Sequence, residues 1–174
     1  MPSADTTQRA ALLPSDALGA SSTSETQVTK SSVLVTLPWE GTSQYDKRPF
    51  LVKVWGRTVT VGASNLTVKL YLGSSTTISS NLNIGSSGAI AMGSTLKSNF
   101  YLEFECLFDS TSAIMNSAIR GYWIGSTIIA QAFGTQATAQ SAVTEGQSLS
   151  LTITHSASNA GNQTIVDGFE LESR

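Results

Sequence analysis

The chain has 174 residues, enough for one domain with a sizeable core, and its 10 basic and 12 acidic residues give a formal net charge of −2. It lacks the basic clusters that nucleic-acid binding needs, and no apolar run approaches the roughly 20 residues that span a bilayer. A single cysteine and a single histidine exclude an internal disulfide and any metal site built from several of either residue.

The first segment, residues 1–32, is predicted to form an extended N-terminal arm. It is rich in Ala, Ser, Thr, Asp and Gln and shows neither a strand period nor a helix period. Such a segment buries too little apolar area to offset ordering, which costs roughly 1–2 kcal/mol per residue for the backbone. Its best anchors on a partner surface are Leu12, Leu13 and Pro14. The start of the chain has neither the cationic nor the apolar part of a secretory signal, so we expect the chain to be made in a cytoplasm and used as made.

Residues 33–174 change to a period of two, which predicts a β-domain. The clearest alternation predicts a core strand with one wet face, and its inward side chains are Phe100, Leu102, Phe104, Cys106 and Phe108. Further strands are predicted at 33–37, 50–55, 58–61, 66–72, on both sides of Gly125, at 149–155 and at 165–171. In the last of these we expect one shared face for Ile165, Asp167, Phe169 and Leu171. We expect no helix of normal length after residue 32; the best helix candidate is the segment 110–119, whose Ser and Thr content disfavours a helix.

This spacing of strands defines the predicted fold class. Eight or more short strands, about ten residues apart and separated by Gly and Ser turns, are typical of an antiparallel β-sandwich or jelly-roll-like domain. The composition adds an indication about function: Ser and Thr make up 48 of the 174 residues, and only 13% are charged. Surfaces with few charges to desolvate suit contacts with other proteins.

The glycine-rich stretch from Asn83 to Thr95 resembles a phosphate-binding loop. Gly88 and Gly93 are spaced as in a P-loop, but Ser94 stands where the lysine is required, and a β-pattern follows where a helix is required. We therefore predict a flexible connection between two strands, with a short apolar segment "AIAM" inside it. No nucleotide or other cofactor is expected.

Two features suggest catalysis only weakly. Glu103 and Glu105 project from one strand face at about 7 Å, which overlaps the spacing of glycosidase carboxylates. Their simpler use is pairing with cations of neighbouring strands, namely Lys53, Lys69 or Arg120. His155 ends a predicted core strand with Leu149, Leu151 and Ile153, and we interpret it as a histidine with satisfied hydrogen bonds or a rim histidine rather than a catalytic base.

Aromatic residues offer better binding candidates. Trp55 and Tyr71 fall on strand faces opposite the predicted core, where exposed rings stack on sugars or anchor protein interfaces. Trp123 is a third candidate platform. Packing between the two sheets is the alternative use of all three.

The polar arm, the Ser/Thr/Gly-rich β-domain and segments such as "LTVKLYLGSSTTISSNLNIG" and "FYLEFECLF" resemble small virion proteins of tailed bacteriophages, particularly capsid decoration or cement proteins. The resemblance is one of pattern over most of 33–174 and transfers no functional residue. It implies a non-enzymatic jelly-roll-like protein, often a homotrimer, that binds over junctions of the major capsid protein on the virion surface.

Two alternatives remain open from the sequence. A phage tail or fibre protein, or a carbohydrate-binding β-sandwich module, has the same pattern, with Trp55, Tyr71 or Trp123 as platforms for a glycan. A hydrolase that uses Glu103 and Glu105 ranks third.

Overall fold

The computed structural model describes residues 7–11, 23–27, 35–36, 49–93, 96–125, 128–139 and 147–173, and this part of the chain is almost entirely β-structure. It contains one short 3-10 helix, Ile78–Ser80. The strands are β1 (Thr7–Ala11), β2 (Thr26–Gln27), β3 (Val35–Thr36), β4 (Pro49–Thr60), β5 (Ser64–Gly73), β6 (Leu82–Ser86), β7 (Ile90–Met92), β8 (Leu96–Asp109), β9 (Ile114–Ile124), β10 (Ile128–Ala139), β11 (Ser148–His155) and β12 (Gln163–Ser173).

These strands form two antiparallel sheets. Sheet A has the order β1-β12-β4-β8-β9-β10, and sheet B has the order β2-β11-β5-β6, with β3 also paired to β11 and β7 to β5. Side chains from both sheets meet in one hydrophobic core. The prediction of an all-β antiparallel sandwich is therefore confirmed.

The core is built from the alternating inward side chains of both sheets, as a period of two requires. The predicted inward face of β8 is buried throughout, and so are the inward residues of β5 and β11 that oppose it. The largest side chains that are fully buried are Trp123, Phe50, Phe104, Phe169, Leu66, Leu70, Leu72, Ile84, Leu102, Met115, Leu149 and Leu151.

One predicted strand break and one helix candidate do not occur where the sequence places them. The strands predicted at 50–55 and 58–61 are one strand, β4, because Gly56 serves close packing rather than a turn. A Cβ at Gly56 would lie 2.0 Å from the carbonyl oxygen of Ile165 and 2.9 Å from the ring of Phe100. The helix candidate 110–119 is also wrong: a turn, in which Ala113 has φ 53°, leads into β9, and Met115, Ser117 and Ile119 are buried alternately.

The glycine-rich stretch is not a loop. It contains β6 and β7, and both pair with β5, so the prediction of a flexible connection is wrong, although its apolar segment does include a strand. Gly88 lies between these two strands at φ +67°, a conformation that L side chains rarely adopt. The next strand, β8, begins at Leu96, in place of the helix that a phosphate-binding loop needs.

A β-bulge in β12 changes which residues share a face. The register to β4 jumps between Val166 and Gly168, so Asp167 is the extra residue. One inserted residue reverses the alternation. Phe169 and Leu171 therefore lie in the core, whereas Ile165 and Asp167 are only partly buried, and the expected shared face of these four residues is wrong.

Two of the strands lie within the segment that the sequence predicts to be an N-terminal arm. Strand β1 pairs with β12 at the edge of sheet A, and β2 pairs with β11 at the edge of sheet B. The domain boundary at residue 32 stays a prediction.

Candidate functional site

The outer face of sheet A, here named the open face, carries the side chains that alternate with the core residues of β4, β8 and β9. Among the described residues, five large hydrophobic side chains are exposed, and four of them lie on this face: Trp55, Leu107, Tyr122 and Ile124, at 36–41% exposure. The fifth, Val61, follows the end of β4. A sheet face that gathers exposed apolar side chains in this way is typical of an interaction surface.

An aromatic row crosses the open face at one level of the sheet. The strand register places Gly168, Trp55, Tyr101 and Tyr122 side by side on β12, β4, β8 and β9. The rings of Tyr101 and Tyr122 stack with centroids 5.9 Å apart. The indole of Trp55 lies against Gly168, since a Cβ there would be 2.1 Å from Cζ2 of the indole. Because Gly168 has no side chain, the indole of Trp55 can pack directly against the backbone of β12.

A row of charged side chains runs beside the aromatic row. The register aligns Glu170, Lys53, Glu103 and Arg120. Arg120 Nε donates to Glu103 at 2.5 Å, and the Tyr101 hydroxyl donates to the same carboxylate at 2.8 Å. Lys53 Nζ donates to Glu172 at 2.6 Å. The charges of Lys53, Glu103 and Arg120 are thus paired within the face itself.

The pKa shifts on the open face follow from these pairs. Partial burial acts to raise the pKa of Glu103, but the hydrogen bonds from Tyr101 and Arg120 outweigh it and lower that pKa. Burial and the neighbouring Glu103 carboxylate raise the pKa of Tyr101. The hydrogen bond to Glu172 raises the pKa of Lys53. Each shift fixes a group in its ordinary charge state, which is the opposite of the tuning toward neutral pH that acid–base catalysis needs.

Two depressions open on this side of sheet A, the larger beyond the charged row and the smaller next to the aromatic row. The larger, about 570 Å³, lies where β8, β9 and β10 meet the start of β4, and its walls include Leu107, Ala118 and Ala137. The smaller, about 410 Å³, lies beyond the other side of the row and includes Arg57, Asn99 and Ile124. The guanidinium of Arg57 there forms two hydrogen bonds to the bulge residue Asp167, at 2.8 and 2.9 Å.

Of the five residues predicted to bind a partner, only Trp55 is on the open face. Leu12, Leu13 and Pro14 lie outside the described residues. Tyr71 points outward from sheet B, as its position in the alternation predicts, but it is only 8% exposed. The expectation of an exposed Tyr71 platform is therefore wrong, and Trp123 is fully buried in the core, which agrees with packing between the sheets and not with a glycan platform.

Tyr71 is covered by a segment of the chain that lies before the β-domain. Glu25 accepts hydrogen bonds from the Tyr71 hydroxyl at 2.7 Å, from Lys69 Nζ at 2.9 Å and from Thr152 Oγ1 at 2.5 Å. The outer face of sheet B around these residues is here named the covered face. Burial acts to raise the pKa of Glu25, but its hydrogen bonds to Thr152, Tyr71 and Lys69 outweigh burial and lower it.

The residues considered for catalysis have structural uses. Glu103 pairs with Arg120, one of the three cations predicted as partners, whereas Lys53 and Lys69 pair with Glu172 and Glu25. His155 is buried at 4% exposure and its Nε2 lies 3.1 Å from Thr164 Oγ1, but its buried Nδ1 has no hydrogen-bond partner among the described residues, so the expectation of a satisfied histidine holds for only one ring nitrogen. Burial lowers its pKa. In the described part of the chain, no three His, Cys, Asp or Glu side chains cluster closely enough to hold a metal ion.

Sequence reasoning missed Gly168 and the grouping of Trp55 with Tyr101 and Tyr122. A signal for Tyr122 was present, because the alternation of Met115, Ser117 and Ile119 continues to Trp123 and places Tyr122 outward. Gly168 follows the bulge, so no alternation in the sequence could have assigned its face.

Comparison with known proteins adds little. No protein-family model matches the sequence, and no curated protein does. Among solved structures, the chain is similar to arcelin-5, a lectin-like defense protein from Phaseolus vulgaris, at 9% identity and a TM-score of 0.41, over 99% of this chain and 94% of that one. The residues that the structure describes include no helix of the length and apolarity needed to cross a membrane.

Proposed function

We propose that this chain is a non-enzymatic structural protein of a virion, a capsid decoration protein that lays its open face on the major capsid protein. The observation that carries the proposal is the concentration of exposed Trp55, Leu107, Tyr122 and Ile124 on one sheet face. Large apolar and aromatic side chains of this kind supply most of the binding energy of protein interfaces.

The paired charges of the open face also support a protein partner. Burial of an unpaired charge is strongly unfavourable, whereas the charges of Lys53, Glu103 and Arg120 already have partners on the same face. A capsid surface can therefore cover this face without having to supply a counter-charge for each of these groups. The sequence resemblance supports the same assignment and adds a homotrimer as an expectation.

The test is cosedimentation with capsid shells. Purified particles of the virus that encodes the chain are first examined by quantitative mass spectrometry, in which we expect a fixed copy ratio to the major capsid protein. Shells stripped of this protein are then mixed with the wild type or with the double variant Trp55→Ala/Tyr122→Ala. We expect the variant to lose at least about tenfold in occupancy, because two interface aromatics are removed.

A matched control lies on the other sheet. Asn65 is exposed on the outward side of β5, and Asn65→Ala is expected to bind shells as the wild type does. Absence of the protein from purified particles would refute the virion assignment. Undiminished occupancy of the double variant would leave a virion protein but refute the open face as its contact surface.

A second candidate function, glycan binding, is favoured by one observation, the indole of Trp55 lying on Gly168. A ring that lies along a sheet with its neighbours Tyr101 and Tyr122 presents an apolar surface of the kind on which sugar rings stack. The smaller depression, which is next to the row, offers polar groups such as Asn99 for hydroxyls. A glycan array of bacterial surface oligosaccharides tests this: binding by the wild type that Trp55→Ala abolishes supports it, and an array without signal refutes it.

A further inference from the structure

Strand β10 ends sheet A on the side away from β1. From Ala130 to Ala139 it pairs continuously with β9, the only irregularity being a register shift between Ile128 and Ala130. In the described part of the chain no strand lies on its other side. Within the described residues, its outer row of backbone N–H and C=O groups therefore forms a sheet edge at which another strand can pair.

This edge lacks the devices that usually protect an open strand. Ile128–Ala139 contains no charged residue and no proline, and the uncharged run extends from Gly121 to Thr144. Natural edge strands are commonly short or carry charges, above all lysine, to prevent pairing. The opposite edge of the same sheet follows this rule, because β1 has five residues and includes Arg9.

The edge is also held in place by sheet B. Gln136 Nε2 donates to the carbonyl oxygen of Asn83 at 2.8 Å, and Thr138 Oγ1 donates to the same oxygen at 3.1 Å. These two side chains point toward the sandwich, which leaves Thr135 and Ala137 exposed on the open face. A strand anchored in this way is ready to pair without further ordering, which lowers the entropic cost of association.

We propose that β10 pairs antiparallel with β10 of a second copy of this chain, so that the two copies of sheet A join into one continuous sheet about a two-fold axis. The absence of charged residues from β10 favours a second copy of the same strand as its partner. In a two-fold antiparallel pair, residue i of one copy faces residue j of the other and residue j faces residue i, so only residues at the axis lie beside their own copies, and a charge there would repel itself. The Thr, Gln and Ala side chains of residues 135–139 can lie near the axis without that penalty. The inference does not depend on the proposed function, and it differs from the homotrimer that the sequence resemblance predicts.

Light scattering coupled to gel filtration tests the proposal on the full chain. We expect a mass of two chains for the wild type, and about tenfold or greater weakening of dimerisation for Thr135→Lys and Ala137→Lys, because each would bring like charges together at the joined edge. The matched control is Ala118→Lys, which adds the same charge to the exposed side of β9, away from the edge, and should remain dimeric. A monomeric or trimeric wild type would overturn the proposal, and so would lysine variants that dimerise normally.

Cysteine crosslinking keeps the proposal testable if a lysine variant misfolds. The native Cys106 is buried, and burial raises the pKa of its thiol, so it does not compete for an oxidant. Single cysteines at residues 134–138 are oxidised in turn. We expect a disulfide-linked dimer at the positions nearest the two-fold axis and none for Ala118→Cys. No crosslink at any position, or equal crosslinking of the control, would contradict β10 pairing.

Discussion

Trp55 and Tyr71 occupy comparable places on successive strands, since each is an aromatic residue on the outward side of a core strand. Trp55 is 36% exposed on the open face, whereas Tyr71 is 8% exposed on the covered face. The difference arises because a separate segment of the chain covers Tyr71: Glu25 of that segment accepts a hydrogen bond from the Tyr71 hydroxyl. Strand alternation therefore decides which sheet face a residue takes but not whether that face meets solvent.

The largest expected effect comes from truncating the two aromatic residues. Tyr71→Ala should lower the free energy of unfolding by about 3 kcal/mol, because it empties a buried site, and Trp55→Ala by roughly 1 kcal/mol. Chemical denaturation measures both. Tyr71→Phe separates the hydroxyl, which we expect to contribute about 1–2 kcal/mol through its bond to a carboxylate. If Tyr71→Ala and Trp55→Ala lowered the free energy of unfolding equally, that would contradict the greater burial of Tyr71.

The second prediction concerns the glycine beneath Trp55. Gly168→Val places a side chain where the indole lies, and we expect a loss of about 2 kcal/mol in the free energy of unfolding together with a change in tryptophan fluorescence. Gly134→Val is the matched control, because the nearest atom to a Cβ there is the Ser86 carbonyl oxygen at 3.9 Å. An unchanged fluorescence spectrum for Gly168→Val would show that the indole does not rest on this residue.

A smaller effect is expected from acid. The pKa of Glu25 is lower in the folded chain than its ordinary value of 4.5. The contribution of its carboxylate to stability is therefore fully present above pH 4.5 and is lost as the pH falls through the lowered pKa. Glu25→Gln should reduce the loss of stability between pH 6 and pH 3, measured by denaturation at each pH.

The control for the acid experiment is Glu105→Gln, which makes the same chemical change at an exposed position of β8. It should keep more of the wild-type acid dependence than Glu25→Gln does. Identical pH profiles for the wild type and Glu25→Gln would mean that the carboxylate does not hold the covered face together.

The smallest effect is expected on the open face at Arg57. Its two hydrogen bonds to Asp167 lie at the surface, where solvent screens the pair. Arg57→Gln should leave the denaturation midpoint within experimental scatter. A clear loss of stability would instead show that the Arg57–Asp167 ion pair stabilises the bulge in β12.

Much of the fold could be predicted because it depends on local alternation. The inward residues of β8 and β11 follow directly from the order of apolar and polar residues, and all of them are buried. The errors arise where distant segments meet. The bulge at Asp167 depends on how β12 fits β4, and the cover over Tyr71 depends on a residue 46 positions earlier.

The candidate site could be predicted only in part, for the same reason. The outward position of Trp55 is a local property, whereas its neighbours Tyr101, Tyr122 and Gly168 are set by the register of three other strands. The pairing of Glu103 with a cation was predicted as one of three possibilities, and the register of β8 with β9 selects Arg120. Cross-strand register is not encoded in any one strand.

The position of β12 between β1 and β4 sets a condition on how the protein is made. The last strand of the chain lies between two early ones, and Lys53 meets Glu172 across 119 positions. During synthesis, β1 and β4 have no shared neighbour until β12 has left the ribosome. Such distant pairings also slow folding. We therefore expect that sheet A is completed only after β12 has been synthesised, and that chains truncated before residue 163 do not form the complete sheet.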